Sequence, residues 1–236
     1  MRLTRIYVPS GLPSDGEFAL PQQEAVHLRR VLRLEAGQEF VAFDGSGAEV
    51  RARLRFDRNG RGAWGEICAR SFPLVEMTRR LVLYLAVVKG ERFDWAVEKA
   101  TELGVFQIVP LLTKYTSVNP SGRERRERWQ RLAESAAAQS GRVAVPEVLP
   151  PLEFGDAVRS APGERIIFVP DASGHLPDAQ EAGETWSLFV GPEGGFADEE
   201  RLMAGEAGFR EVGLGRRILR VETAALAALC LCGALG

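Results

Sequence analysis

The segment SLFVGPEGGF, residues 187–196, places a short apolar run directly before a loop rich in glycine. Leu188, Phe189 and Val190 are typical of the end of a strand that is buried on both faces. Three glycines, one proline and one carboxylate then follow within five residues, more than a simple turn requires. Because glycine lets the backbone approach another molecule closely, this strand end is predicted to lie against a ligand.

Apolar strands alternate with helices on both sides of this segment. The runs LVLYLAVV at 81–88 and RIIFVP at 165–170 are almost continuously apolar, as expected for strands of a parallel sheet. Between them, RFDWAVEKATELG at 92–104 has the apolar spacing of an amphipathic helix. This alternation predicts an α/β domain whose parallel sheet is covered by helices on both faces.

The N-terminal part of the chain follows a different pattern. EVRARLRF at 49–56 alternates strictly between apolar residues and arginine, which predicts a half-buried strand. A short helix is predicted within QQEAVHLRRVLRLEAG at 22–37, ending near its glycine. Short strands with tight turns are typical of a small barrel or sandwich. The sequence therefore predicts a β domain over residues 1–72 and an α/β domain over residues 73–236.

Composition and cysteine usage narrow the class of protein. The chain has 236 residues, a formal net charge of −2 and three cysteines. An odd cysteine count without an N-terminal apolar signal favours a reducing, cytoplasmic location. The apolar C-terminal run is shorter than the roughly 18 residues of a membrane span, so no membrane partner is expected. Cys230 and Cys232 have no other cysteine or histidine cluster beside them, so no metal site is predicted.

A second loop, LGRRILRVETAA at 214–225, also lies at a predicted strand end. Arg220 stands between two apolar residues, a position where a charge usually pairs with a carboxylate or an anionic ligand. Glu222 and Thr223 either bind that ligand or cap the helix that follows. The glycine-rich loops lack the spacing of a Walker or dinucleotide motif, although phosphate binding by GPEGG remains an alternative.

Nucleic-acid binding would have to depend on local clusters of arginine, because the chain is slightly acidic overall. Arg51, Arg53 and Arg55 are predicted to project from one face of a strand that places no acid between them. Phosphate binding on this face is one hypothesis. The alternatives are that the face is only solvated and that the arginine-rich helix containing Arg125 and Arg128 binds the nucleic acid.

Taken together, several segments resemble one family, the RsmE-type 16S ribosomal RNA uridine-N3 methyltransferases of the SPOUT class. The matching segments occur in the family's order across both predicted domains: HLRRVLR (27–33), DGSG (44–47), KGERFDWAVEKATELGV (89–105), VPLLT (109–113), QSGR (139–142), GPEGGF (191–196) and LGRRILRVETAALAAL (214–229).

The resemblance implies a PUA-like RNA-binding β-barrel followed by a parallel α/β domain with a C-terminal trefoil knot. It also implies that the knot loops bind S-adenosylmethionine, that the protein is a homodimer, and that its substrate is 16S rRNA of the small ribosomal subunit. The alternatives are a ribosome-assembly factor that has the same fold without catalysis and a nucleotide-binding enzyme.

The resemblance assigns roles to individual residues. Arg220 is expected to stabilise negative charge on the uridine, and either Glu193 or Glu222 to accept its N3 proton. The expected cofactor-binding residues are Val190, Gly191, Pro192, Glu193, Gly194, Gly195, Leu214, Gly215, Ile218, Leu219, Arg220, Val221, Thr223 and Ala224. The expected RNA-binding residues are His27, Arg29, Arg30, Arg33, Arg51, Arg53, Arg55, Lys89 and Arg92.

Overall fold

The computed structural model describes residues 3–31, 33–57, 62–118, 123–177 and 183–233. Leu32 of the HLRRVLR motif and the last two residues of the closing helix predicted over 222–235 lie outside these ranges. No helix within them is both long enough and apolar enough to span a membrane.

Contacts along the chain divide it into two compact units. The first comprises Met1–Glu76 and Ala137–Ala144, and the second comprises Met77–Ala136 and Val145–Gly236. The assignment of residues 137–144 to the first unit has no signal in the local sequence pattern. The predicted boundary after residue 72 stays a prediction.

The first unit contains a five-stranded sheet and one helix. In chain order the elements are β1 (Arg5–Tyr7), β2 (Glu17–Ala19), α1 (Gln22–Arg30), β3 (Glu39–Phe43), β4 (Glu49–Phe56) and β5 (Ala63–Ser71). The strand order is β1-β3-β4-β5-β2, with β1 parallel to β3 and the other pairs antiparallel. The alternation predicted for β4 is confirmed, since Val50, Ala52 and Leu54 are fully buried and the arginines between them are exposed.

A buried ion pair holds residues 137–144 within this unit. The Arg142 guanidinium, only 6% exposed, donates to Glu76 Oε2 from Nε at 3.0 Å and from Nη2 at 2.6 Å. The second oxygen of Glu76 accepts the backbone N–H groups of Val143 and Ala144 at 3.0 and 3.1 Å. One carboxylate thus fixes both a buried cation and the backbone beside it.

The second unit is a seven-stranded parallel sheet with helices on both faces. Its elements are β6 (Arg80–Ala86), α2 (Arg92–Glu102), β7 (Gln107–Leu112), α3 (Arg123–Ser140, whose last residues belong to the first unit), β8 (Glu147–Val148), β9 (Leu152–Glu153), α4 (Phe154–Ser160), β10 (Glu164–Phe168), β11 (Thr185–Val190), α5 (Asp198–Glu206), β12 (Arg210–Val212) and α6 (Val221–Gly233). The strand order is β12-β10-β11-β6-β7-β8, and β9 also pairs with β7. The predicted α/β architecture is confirmed.

Alternate residues of the central strands face two separate apolar cores, because side chains of a strand point to opposite faces of the sheet. Leu81, Leu83 and Leu85 of β6 pack into the core that contains residues of α2, α3 and α6. Val82 and Tyr84 pack into the core that contains residues of α4 and α5. This two-sided burial explains the almost continuous apolar runs in the sequence.

The loop after β10 passes unusually close to the backbone of β12. A Cβ atom on Gly174 would lie 2.1 Å from the carbonyl oxygen of Glu211, and one on Gly213 would lie 2.4 Å from that of Ala172. Neither position has room for any side chain. The predicted trefoil knot stays a prediction, but this close passage occurs in the segments that would form it.

Glu211, at the same crossing, is also bound to α5. Arg201 donates to the two carboxylate oxygens of Glu211 from Nε at 2.8 Å and from Nη2 at 2.7 Å. These hydrogen bonds hold the pKa of Glu211 below its ordinary value. The bidentate contact therefore fixes β12 against α5 where the two backbone segments cross.

Candidate functional site

A cavity opens at the carboxyl ends of three neighbouring strands, β10, β11 and β12, and at the start of α6. Its volume is about 70 Å³. The wall is concave and mostly apolar, as in small-molecule sites. Ligands of open α/β sheets bind at this edge, because the loops that follow the strands expose backbone groups there. The glycine-rich loops at 191–195 and 214–220 both contribute to its wall.

Most of the residues predicted to bind a cofactor line this cavity. They are Val190, Gly191, Pro192, Glu193, Gly195, Leu214, Gly215, Ile218, Leu219, Val221 and Ala224. Gly194, Arg220 and Thr223 are not among the lining residues. The sequence reasoning missed Phe168, Val169, Pro170 and Arg217. The first three are the last residue of β10 and the two residues after it, where there is no glycine signal, so only the strand order could have indicated them.

The GPEGG loop is a tight turn with a defined role for each glycine. The N–H of Gly195 donates to the carbonyl of Pro192 at 2.8 Å, and Gly195 has a φ of 73°, which favours glycine. A Cβ on Gly191 would lie 3.0 Å from the ring of buried Phe196. A Cβ on Gly194 would instead approach Tyr115 at 3.3 Å, so Gly194 serves packing against the loop after β7.

Glu193 is the carboxylate that reaches the cavity from this loop. It is exposed, and its Oε1 lies 2.5 Å from Nη1 of Arg92 at the start of α2. The structure therefore brings together a predicted catalytic residue and a predicted RNA-binding residue. The sequence places them far apart, so their pairing had no local signal.

Arg220 lies beside the cavity without a fixed partner. Its side chain is exposed and makes no hydrogen bond or ion pair with any described residue. Its backbone carbonyl accepts the N–H of Ala224 at 2.8 Å and so belongs to the first turn of α6. The expected carboxylate partner is absent among the described residues, which leaves the guanidinium available for a ligand.

Glu222 has the opposite environment. Its side chain is only 8% exposed, and its Oε2 atom has no hydrogen-bond partner among the described residues. A buried oxygen without a donor carries a free-energy cost that proteins rarely leave uncompensated. Thr223, which follows it, is exposed.

Two of the three arginines of the predicted face of β4 are paired with acids of neighbouring strands. Arg55 donates to Glu17 Oε1 at 2.8 Å and to Glu66 Oε2 at 2.7 Å, and Arg51 Nε lies 3.7 Å from Glu39. Arg53 is exposed and has no ion pair among the described residues. The sequence of β4 contains no intervening acid, but β2, β3 and β5 supply them, so most of the face is a set of surface ion pairs.

The remaining predicted RNA-binding residues are exposed. On and after α1 these are His27, Arg29, Arg30 and Arg33, and at the end of β6 it is Lys89. No cluster of three or more metal-ligating side chains occurs in the described part of the chain.

The cavity lining favours a ligand with little negative charge, because such a ligand does not need several cationic side chains to bind it. Among the described residues, Glu193 and Arg217 are the only charged ones that line it, and the rest are apolar residues, glycine and proline. Triphosphates are usually held by a lysine and several backbone N–H groups of a P-loop, whereas Pro192 lacks an N–H group. The wall is better suited to an adenosine-like ring system and a ligand with little net negative charge.

Comparison with known protein families identifies two matching domains. Residues 75–233 match the model of an RNA methyltransferase domain, and residues 20–64 match that of an RNA methyltransferase PUA domain. The first match includes the whole cavity, and the second includes most of the five-stranded sheet.

Individual relatives agree with the family models. The chain is 36% identical to ribosomal RNA small subunit methyltransferase E of Synechocystis, over 89% of this chain and 70% of that protein. A crystal structure of the enzyme of that name from Neisseria gonorrhoeae, bound to S-adenosyl methionine, superposes with a TM-score of 0.92 at 34% identity, covering 99% of this chain and 98% of that one. A methyltransferase from Legionella pneumophila, in complex with its cofactor SAM, gives a TM-score of 0.91 at 31% identity, covering 100% and 99%.

Proposed function

The chain belongs to the ribosomal RNA small subunit methyltransferase E family of RNA methyltransferases, and from this premise we propose that it methylates N3 of a uridine in 16S rRNA with S-adenosylmethionine. The observation that carries the proposal is the cavity at the ends of β10, β11 and β12, within the matched RNA methyltransferase domain. Its walls come from the same loops that the sequence singled out.

The residues present fit S-adenosylmethionine. The apolar and glycine-rich wall suits the adenosine and methionine parts, and backbone groups of loops 191–195 and 214–220 would hold their polar atoms. Glu193 supplies a carboxylate in a cavity that would receive a positively charged sulfonium. When bound, the cofactor supplies an activated methyl group.

The protein's own task is to prepare the acceptor nitrogen. Uridine N3 carries a proton that is too weakly acidic to leave freely at neutral pH, so the site must accept that proton and stabilise the charge left on the base. Direct transfer would form the N3–carbon bond and break the sulfur–carbon bond of the cofactor, which would leave as a neutral thioether, while the N3 proton would pass to a carboxylate of the protein, without a covalent bond to the enzyme. This agrees with the lack of an activated nucleophile in the sequence.

Arg220 is the residue we assign to charge stabilisation. Its guanidinium is exposed beside the cavity and has no described partner to compete with the base. An arginine held near a developing negative charge lowers the barrier most when water is excluded. Its place in the first turn of α6, through the bond from Ala224 N–H, fixes its backbone.

Glu193 is the better candidate for proton acceptor. It lines the cavity, whereas Glu222 does not. The ion pair with Arg92 orients the Glu193 carboxylate while leaving its second oxygen available. Glu222 is assigned a positioning role at the start of α6, because it is buried beside the cavity-lining Val221 and does not itself line the cavity.

Two measurements test the function. Purified protein should bind S-adenosylmethionine in a calorimetric titration and should not bind ATP with comparable affinity. Mass spectrometry of 16S rRNA incubated as small subunits with the protein and cofactor should reveal one new N3-methyluridine. Cofactor binding without methylation would favour an assembly factor that has lost catalysis, and preference for ATP would favour a nucleotide-binding enzyme.

Arg220→Ala is expected to reduce methyl transfer by a factor on the order of 10² or more, the usual effect of losing a preorganised electrostatic contact. Affinity for S-adenosylmethionine should change little, because the Arg220 side chain does not line the cavity. Single-turnover methylation and calorimetry separate the two effects. Arg216→Ala, which removes an equally exposed arginine that does not line the cavity, is the control. Equal rates for both variants would contradict the role of Arg220.

A homodimer is part of the proposal. Apolar Leu231 of α6 is 49% exposed, and Ile218 in the loop before α6 is 88% exposed. Exposed apolar residues of this kind, on a helix that lines the cavity and on the loop that leads into it, suit burial against a second copy. Light scattering should give the mass of a dimer at micromolar concentration, and a monomer would contradict this part of the proposal.

A further inference from the structure

A second cavity opens at the carboxyl ends of β6 and β7, beside the start of α2. Its volume is about 600 Å³, larger than the 70 Å³ of the cavity proposed for the cofactor, and it is open to solvent. Three cationic side chains line it, from Lys89, Arg125 and Arg128, together with two carboxylates, from Glu91 and Asp94. The mechanism described above does not use this cavity.

Two of the three cations have no partner among the described residues. Lys89 and Arg125 are exposed and make no hydrogen bond or ion pair with any of them. Arg128 differs, because its Nη2 lies 2.5 Å from Asp94 Oδ2, while Asp94 Oδ1 accepts the indole N–H of Trp129 at 2.8 Å. Asp94 is therefore already committed to Arg128 and Trp129, and it does not neutralise Lys89 or Arg125.

The second cavity adjoins the cofactor cavity. Glu193, which lines the first cavity, is bound to Arg92, and the residues on either side of Arg92 in the chain both line the second. The strand order agrees, since β11 and β6 are direct neighbours in the sheet. A molecule in the second cavity could thus extend a group past the Arg92–Glu193 pair toward the cofactor.

We propose that this second cavity receives the RNA strand that carries the target uridine, with Lys89 and Arg125 contacting its backbone phosphates. The inference deepens the proposed function and rests on it. The acceptor nitrogen has to meet the methyl group from a direction that the cofactor does not occupy, and the wide, cationic cavity next to Glu193 provides that direction.

The charge distribution favours this location over the face of β4. There Arg55 and Arg51 are paired with glutamates of neighbouring strands, so binding a phosphate at either would require breaking those pairs, and Arg53 alone has no ion pair among the described residues. Lys89 and Arg125 can bind a phosphate without first breaking an ion pair to a described residue. Phosphate contacts by unpaired cations release counterions, and they provide much of the affinity for single-stranded RNA.

The test compares two double variants that remove the same charge. Lys89→Gln with Arg125→Gln changes two lining cations. Arg123→Gln with Arg131→Gln changes two exposed arginines of the same helix, α3, that do not line the cavity. Both variants alter the net charge equally, so any difference between them reports on the location of the contacts.

Binding of unmodified 16S rRNA is measured over a series of salt concentrations, together with affinity for S-adenosylmethionine. For the lining variant, the slope of log affinity against log salt should fall by about 1.4, and RNA affinity near 0.1 M salt should fall by an order of magnitude or more. Cofactor affinity should be unchanged. The control variant should retain a slope close to that of the wild type.

Equal slopes for the two double variants would overturn the inference, as would a larger loss in the control. Methylation of small subunits by the wild type is measured in parallel. If the wild type fails to methylate but the lining variant alone loses RNA affinity, the proposed function fails while the second cavity remains supported as an RNA site.

Discussion

Gly213→Ala is expected to destabilise the protein by about 3 kcal/mol or more, which would lower the melting temperature by roughly 6–12 °C. The new methyl group would lie 2.4 Å from the carbonyl oxygen of Ala172. That neighbour is backbone, so no change of side-chain rotamer can relieve the overlap. Differential scanning calorimetry of the purified variant measures the effect.

Gly205→Ala is the matched control, because it adds the same methyl group elsewhere in the second unit. Gly205 lies in α5, and a Cβ placed there meets no atom within 4 Å. Alanine in a helix should raise stability by about 0.5 kcal/mol relative to glycine. Similar melting temperatures for the two variants would contradict the prediction, because they would show that the segments at 172–174 and 211–213 can move apart without loss of stability.

Glu76→Gln is expected to lower the free energy of unfolding by about 3 kcal/mol. The change removes the negative charge that the buried Arg142 guanidinium contacts, and breaking a buried ion pair by altering one partner is strongly destabilising. The amide also presents only one oxygen for bonds that two carboxylate oxygens now accept. Urea denaturation at neutral pH measures the loss.

Asp156→Asn provides the comparison at the surface. Asp156 pairs with Arg159 at 2.5 Å, but the two side chains are 60% and 70% exposed. Exposed pairs contribute between zero and about 1 kcal/mol, so the variant should be nearly as stable as the wild type. A loss for Glu76→Gln no greater than for Asp156→Asn would mean that the Arg142 cluster does not stabilise the first unit.

The fold could be predicted where a segment is long enough to show the apolar pattern of a strand or a helix. The runs that became β6, β10 and β11 are apolar on both faces, and β4 alternates over eight residues, so each has a clear pattern. The strands of two or three residues and the seven-residue α4 are too short to establish a period. Their positions depend on tertiary contacts instead.

The site could be predicted where glycine marks a ligand-facing loop, and less well elsewhere. The loops after β11 and β12 were identified in this way, while the end of β10, with Phe168 and the following Val169 and Pro170, has no glycine beside it. Partners distant in sequence could not be identified at all. The Arg92–Glu193 pair and the acids around Arg55 each join different elements, and only the folded chain brings them together.

The order of strands in the parallel sheet has a consequence for how the chain reaches this structure. β6 pairs with β11 in a register that joins Arg80 to Thr185, so one edge of β6 has no partner until that much later segment has been synthesised. Closing so long a loop costs entropy before any contact compensates for it, which makes folding slow. During translation the unpaired edge is open to association with other chains. Assembly of the cofactor cavity, which requires β10, β11 and β12 together, is therefore expected to be among the last steps of folding.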